Sequence, residues 1–303
     1  MSTLQTKHLT GIKDLSDQDI DLILARVSDM KAGKQSDSLK GKNILSLFYE
    51  NSTRTRISFE IATNRLGGNY VSWNAKSSSV TKGETLRDTI LTFNAMKPDA
   101  IIVRHEEFGA PHYISTIAEC PVINAGDSWN EHPTQAFLDA FTLQEAVGDL
   151  KDKTIAICGD IAHSRVANSA ILLLSKLGMN IHIVAPPALM PEKFPIKDIS
   201  TFENLEEGIK DCDAVMMLRN QMERMEAGLI ESNEAFFAEY GLTKEKLKAA
   251  KEGTVVLHPG PMNRNVEIAD EVADDPNVPL ILKQVENGVY VRMAILDLLV
   301  NGK

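Results

Sequence analysis

Five consecutive residues, Ser52-Thr53-Arg54-Thr55-Arg56, place three hydroxyls and two guanidinium groups within little more than one helical turn. The apolar run 43–49 before them reads as a buried strand, and 56–66 after them as a helix stopped by Gly67-Gly68. A strand that passes through a polar turn into a helix aims free backbone N–H groups and the positive end of the helix dipole at one spot. Such a spot binds an anion, and planar arginine forks beside short hydroxyl donors match a phosphate. The competing account is a plain helix cap by Ser52 with two solvated arginines. Two arginines in a first turn oppose the dipole unless an anion or carboxylate offsets them, which weighs toward phosphate.

Further polar residues fall at comparable places. Arg104 ends the strand predicted at 99–104, and Arg219 follows the one predicted at 214–218. His132 precedes Pro133 at a helix start with Gln135 in its first turn, and Arg165 opens the helix after Gly159-Asp160. In an open α/β sheet, ligands bind beyond the C-terminal ends of the strands. Taken singly, each arginine is a solvated surface group and the histidine a turn residue. These three arginines at strand ends or helix starts, together with Arg54, point to a site. No nucleotide loop is present: GxxxxGK[ST] does not occur, and the strand 154–158 lacks a following GxGxxG.

The elements that must position these residues alternate between β-branched apolar runs and helix-period segments, which predicts βαβ units around parallel sheets. A chain of 303 residues exceeds what one core usually serves, so two domains are expected. The predicted fold class is α/β: two doubly wound domains, each with a central parallel sheet flanked by helices, joined by bridging helices. The expected boundaries are 1–133 for the first domain and 134–279 for the second, with a final helix within 280–303 returning to the first. Ser16 caps an opening helix whose face carries Ile20, Ile23, Leu24 and Val27. The stretch 186–195 reads as an irregular surface loop.

Composition excludes several classes. Against 32 basic residues stand 42 acidic ones, a net charge of −10, which argues against nucleic acid or a membrane surface as partner. A few arginines focused into one cleft still suit a small anionic ligand. The three cysteines Cys120, Cys158 and Cys212 form no framework, which suits a reducing cytosol, and Cys158 and Cys212, in or beside apolar runs, read as buried small hydrophobes. Residues 1–11 lack the apolar segment of a signal peptide, and no run approaches the roughly 20 apolar residues of a membrane helix. These features predict a cytoplasmic protein. No ligand cluster suggests a metal, and no cofactor is expected.

The pairing of STRTR at 52–56 with HPTQ at 132–135, in that order and at that separation, resembles the aspartate/ornithine carbamoyltransferases across nearly the whole chain. Ornithine enzymes typically carry HCLP late in the chain. Here His258-Pro259-Gly260-Pro261 stands instead, followed by MNRNVEI, and with 77–85 and 218–224 it resembles the aspartate-using branch. Charge agrees. Aspartate brings two carboxylates that Arg165, Arg219 and Lys82 can meet, whereas ornithine's ammonium would call for an acidic partner.

The resemblance implies the following roles. Ser52, Thr53, Arg54 and Thr55 bind the phosphate of carbamoyl phosphate. Thr55, Arg104 and His132 polarise the carbonyl, and Gln135, Gly260 and Pro261 hold the carbamoyl amide. Arg165, Arg219 and Gln221 orient L-aspartate, while Lys82, with Ser78, arrives from a neighbouring subunit to touch both substrates. The implied reaction gives N-carbamoyl-L-aspartate and phosphate, a step of pyrimidine biosynthesis. The same resemblance implies a homotrimer with shared active sites, and admits regulatory or dihydroorotase chains as further partners. Two alternatives stand beside it: a carbamoyltransferase for ornithine or an acylated amino acid, and a catalytically silent subunit that kept the fold.

Overall fold

The first helix, α1 (Asp17–Lys31), shows how the local rules operate. Ser16 accepts from the Asp19 N–H while the Asp19 carboxylate accepts from the Ser16 N–H, closing both ends of a capping box. Ile20, Ile23, Leu24, Val27 and Met30 then lie buried at helical spacing. The structure, a computed structural model, describes residues 3–34, 37–74, 83–219 and 232–302.

The chain forms two units, Met1–Leu138 with Val285–Lys303, and Asp139–Gln284. In the first, β1 (Asn43–Phe48), α2 (Thr53–Arg65), β2 (Asn69–Asn74), α3 (Leu86–Met96), β3 (Ala100–His105), α4 (Ala110–Ser115) and β4 (Val122–Asp127) follow in turn. Helix α5 (Pro133–Val147) begins in the first unit and ends in the second. There β5 (Thr154–Cys158), α6 (Arg165–Lys176), β6 (Asn180–Val184), β7 (Ser200–Phe202), α7 (Leu205–Ile209), β8 (Ala214–Met217), α8 (Asn233–Tyr240), α9 (Lys244–Leu247), β9 (Val255–Leu257) and α10 (Asp270–Ala273) follow. Helix α11 (Ile281–Asn301) carries the chain from the second unit back into the first.

Both sheets are parallel, as strands joined by helical crossovers must be. The first has the order β2-β1-β3-β4 and the second β7-β6-β5-β8-β9. In each, the chain works outward from a central strand and then returns to that strand's other side. The first sheet therefore reverses direction between β1 and β3, and the second between β5 and β8. Those reversals open the crevices in which ligands of such sheets bind.

Strands with apolar side chains on both faces supply the cores. Leu45, Leu47, Ile101, Val103 and Val122 pack with Ile90, Phe93 and Ile114 in the first unit. Ala156, Cys158, Val184, Val215, Met217 and Val256 pack with Leu205 and Ile209 in the second. All three cysteines are free and buried. Burial pushes the Cys212 thiol up to about 12 and the Cys158 thiol well above its ordinary value, so both behave as small hydrophobes.

Several expected boundaries move. Helix α2 starts at Thr53, three residues before the expected start at 56, because Ser52 already holds the extended conformation of an N-cap (φ −156°, ψ 112°). Strand β4, which the sequence pattern places at 121–124, runs from Val122 to Asp127, which pairs with His105. The short elements β7 and α7 to α10 had no period long enough to be read. The stretch 186–195 contains only a 3₁₀ turn, Pro187–Leu189, whose Leu189 is buried. Among the described residues, no helix is long and apolar enough to cross a membrane.

Candidate active site

At the first reversal, β1 delivers the chain to α2. Among the described residues, seven N-cap positions carry Ser, Thr or Asn: Ser16, Ser52, Thr85, Ser164, Asn204, Ser232 and Thr243. Six accept a hydrogen bond from the N–H three residues on. Ser52 makes no such bond, and the first turn of α2 contains no acidic residue. The start of α2 thus presents N–H groups and hydroxyls together with the dipole's positive end, beside exposed Thr53 and Arg54. Thr55 is buried, and its carbonyl accepts from Ser58 Oγ at 2.9 Å, which closes the turn from behind.

Arg104 stands directly across from Phe48 in the β1–β3 register, and its carbonyl accepts the Tyr49 N–H at 2.9 Å. The exit of β1 is therefore tied to the backbone of Arg104. Its guanidinium lies between two partners: Nε is 3.2 Å from Glu50 Oε2, and Nη1 donates to the Ala125 carbonyl at 3.3 Å. Both charged side chains are largely shielded, so the pair is screened less than a surface one. Arg104 is legible in the sequence as a strand end, whereas Glu50 carries no signal beyond its place in the same turn as the hydroxyls.

His132 is buried at 4% exposure, and its carbonyl accepts the N–H groups of Gln135 and Ala136 at 2.9 and 3.2 Å. Pro133 occupies the first position of α5, where no N–H is needed. The loop before it is clamped from afar. Glu131 Oε2 accepts the Ile12 N–H at 2.6 Å, Asn124 Nδ2 donates to the Thr10 carbonyl at 2.8 Å, and the Asp127 N–H donates to the Glu131 carbonyl at 3.0 Å. Nearby, burial lowers the affinity of His105 for a proton and pushes the Tyr49 phenol up to about 12. The first unit thus gathers Ser52, Thr53, Arg54, Thr55 and Arg104 at its reversal point, with His132 and Gln135 at the start of α5.

The second reversal has its own construction. Gly159 follows β5 directly at φ +121°, and a Cβ there would stand 2.9 Å from the Leu218 carbonyl, so only glycine admits this close approach. Asp160, fully buried, accepts from His163 through its backbone N–H at 3.2 Å and its ring Nδ1 at 2.9 Å. Ser164 caps α6 through Ala167, and Arg165 follows, only 7% exposed. Arg219, half-buried, stands two residues beyond β8. After β9 the backbone turns through His258 to Gly260, at φ +63°, and the cis Gly260-Pro261 bond. The unit thereby places Arg165, Arg219, Gly260 and Pro261 after the C-terminal ends of its strands. Lys82, Ser78 and Gln221 lie outside the described residues.

Comparison with known proteins gives these positions a context. Residues 7–145 match the family description "Aspartate/ornithine carbamoyltransferase, carbamoyl-P binding domain", and residues 151–299 match "Aspartate/ornithine carbamoyltransferase, Asp/Orn binding domain". The aspartate carbamoyltransferase catalytic subunit of Agrobacterium fabrum is 49% identical over 298 residues, covering 97% of this chain and 95% of that one. Among solved structures, aspartate transcarbamoylase from Trypanosoma cruzi in complex with carbamoyl phosphate and aspartate is 32% identical, with a TM-score of 0.85, covering 97% of this chain and 95% of that one. Ornithine carbamoyltransferase from Pyrococcus furiosus is 27% identical with a TM-score of 0.90, covering 100% of both chains. The backbone match does not separate the two acceptors, since the ornithine enzyme has the higher TM-score and the aspartate enzyme the higher identity.

Proposed function

The chain belongs to the aspartate/ornithine carbamoyltransferase family, and we propose from that premise that it transfers the carbamoyl group of carbamoyl phosphate to the amine of L-aspartate. The observation that carries this reading is the start of α2, where a serine in the capping position leaves its bond unmade among hydroxyls and arginines. A phosphate supplies the oxygens that this helix start lacks.

The steps follow from the residues. Ser52, Thr53, Arg54 and Thr55 bind the phosphate of the donor. Arg104, Thr55 and His132 donate to the carbonyl oxygen, and Gln135, with the Gly260 and Pro261 backbone, holds the carbamoyl amide. Arg165, Arg219 and Gln221 take the aspartate carboxylates. The neutral amine attacks the carbamoyl carbon; the new C–N bond forms as the C–O bond to phosphate breaks. Negative charge that grows on the carbonyl oxygen meets donors already in place, which lowers the barrier. Phosphate leaves with the bonding electrons and accepts the amine proton. Holding two mutually repelling anions in reach of each other contributes much of the acceleration. Glu50 orients Arg104, an assignment supported by their 3.2 Å contact.

The aspartate assignment is supported by the names of the relatives and by HPGP at 258–261 in place of HCLP. We further read the protein as a cytosolic homotrimer with Lys82 supplied across a subunit interface, serving pyrimidine biosynthesis. Three free, buried thiols suit a reducing compartment.

One assay decides the acceptor: phosphate release from carbamoyl phosphate in the presence of aspartate or ornithine. Release with aspartate alone is expected, and release with ornithine alone refutes the assignment. For the shared site, inactive Arg54→Ala and Lys82→Gln proteins should regain activity when mixed and exchanged. No recovery after verified subunit exchange counts against it.

A further inference from the structure

Behind the Gly260 turn runs a chain of four polar side chains drawn from four parts of the second unit. Asp139 belongs to α5, Gln284 to α11, His258 to the end of β9, and Glu267 to the loop before α10. None is more than 2% exposed. Gln284 Nε2 donates to Asp139 Oδ1 at 2.7 Å, and Gln284 Oε1 accepts the His258 backbone N–H at 3.0 Å. The His258 ring spans two partners: Nε2 lies 3.0 Å from Glu267 Oε1, and Nδ1 meets the Gly260 N–H at 2.9 Å.

Hydrogen-bond chemistry fixes the direction of this chain. A backbone N–H only donates, so Nδ1 of His258 accepts, and the ring proton sits on Nε2, which donates to the Glu267 carboxylate. The same logic orients Gln284, whose oxygen must face the His258 N–H and whose amide must face Asp139. Turning either group over would set donor against donor. Each of these groups is destabilising if buried unbonded, and apolar residues would fill the space without that demand. What stands at the end of the chain is the Gly260 backbone, in the left-handed region where glycine has its widest freedom.

We propose that His258 is a positioning residue for the carbamoyl group, anchoring the Gly260 backbone through Nδ1 while Glu267, Gln284 and Asp139 fix its tautomer and tilt. The proposal rests on the reading that Gly260 and Pro261 meet the carbamoyl amide. The imidazole touches no substrate; it removes the freedom of the turn that does. Its loss is felt by the carbamoyl end of the donor and not by the phosphate end, which α2 holds.

Two substitutions separate this role from general support of the fold. In His258→Asn the amide oxygen takes the place of Nδ1 and still accepts from Gly260. In His258→Gln the longer amide reaches Glu267 instead and leaves the Gly260 N–H without its acceptor. Calorimetric titration with carbamoyl phosphate and, separately, with inorganic phosphate reads the difference. Carbamoyl phosphate affinity is expected to fall about tenfold in His258→Gln, with little change in His258→Asn and none in phosphate affinity for either. Equal losses for both ligands, equal losses in both variants, or no loss in His258→Gln overturn the proposal. Independently of any variant's folding, the ¹⁵N spectrum of the unaltered protein should show His258 with its proton on Nε2. A proton on Nδ1 overturns the anchor directly. Unaltered protein that binds carbamoyl phosphate no better than phosphate overturns the functional reading and this proposal with it, a result distinct from a wrong tautomer.

Discussion

The turn from β1 to α2 and the turn from β5 to α6 start from the same plan. Each leaves a central strand at its sheet's reversal point, and each sets a serine at the N-cap shortly before an arginine. They then diverge. Ser164 gives its hydroxyl to the Ala167 N–H, and Arg165 behind it is buried. Ser52 makes no cap bond, and Arg54 is exposed. A helix that caps itself offers a side chain for recognition, here a planar fork suited to a carboxylate. An uncapped helix offers its own N–H groups and dipole, which suit a phosphate. Under the proposed function, one small difference in whether a hydroxyl caps its helix separates a site for the donor from a site for the acceptor.

Substitutions at the two turns test that division, beginning with the strongest. Arg54→Ala should reduce phosphate release in the presence of aspartate by on the order of a thousandfold, the loss expected for a preorganised donor to developing charge. Arg165→Ala should raise the KM for aspartate by about tenfold to a hundredfold and leave carbamoyl phosphate affinity unchanged. If steady-state kinetics shows the opposite split, the assignment of the turns is reversed. The serines provide a finer contrast. Ser164→Ala should lower the stability of the second unit by about 1 kcal/mol in denaturant titration and spare phosphate binding. Ser52→Ala should leave stability nearly untouched and weaken phosphate binding several-fold.

The smallest effect concerns only the first unit. Burial, followed by Lys7 and His112, pushes His8 down to about 4 from 6.5, and its Nδ1 accepts the Val122 N–H at 3.1 Å. The unfolded chain takes up a proton at His8 near 6.5, whereas the folded chain resists until about 4. The neutral imidazole's contribution is therefore present above 6.5 and is lost as pH falls toward 4. His8→Gln should flatten the dependence of the denaturation midpoint on pH across that window; an unchanged slope would show that His8 is not its source.

Much of this molecule was legible from local pattern. Strands 154–158 and 180–184 were read to the residue, since apolar β-branched runs bounded by polar turns leave little choice. The arginines at 104, 165 and 219 were found by the same rule, that strand ends face ligands. The start of α2 was read three residues late because hydroxyl residues serve turns and first turns equally well. The supporting contacts were invisible for a different reason. Glu131 meets Ile12 across 119 residues, and Gln284 meets Asp139 across 145. No periodicity encodes such pairs; they exist only once the sheets and the long helices have formed.

The uncapped start of α2 also bears on the timing of the reaction. On the proposed reading, the hydroxyls and N–H groups of this helix start recognise the phosphoryl end that carbamoyl phosphate and the departing phosphate share. Each turnover therefore leaves the product in the same grip that welcomed the substrate. Accumulating phosphate competes with fresh donor, and escape of that ion becomes a natural brake on throughput. Preference for a new donor over spent phosphate falls to the carbamoyl contacts, the Gly260 turn among them.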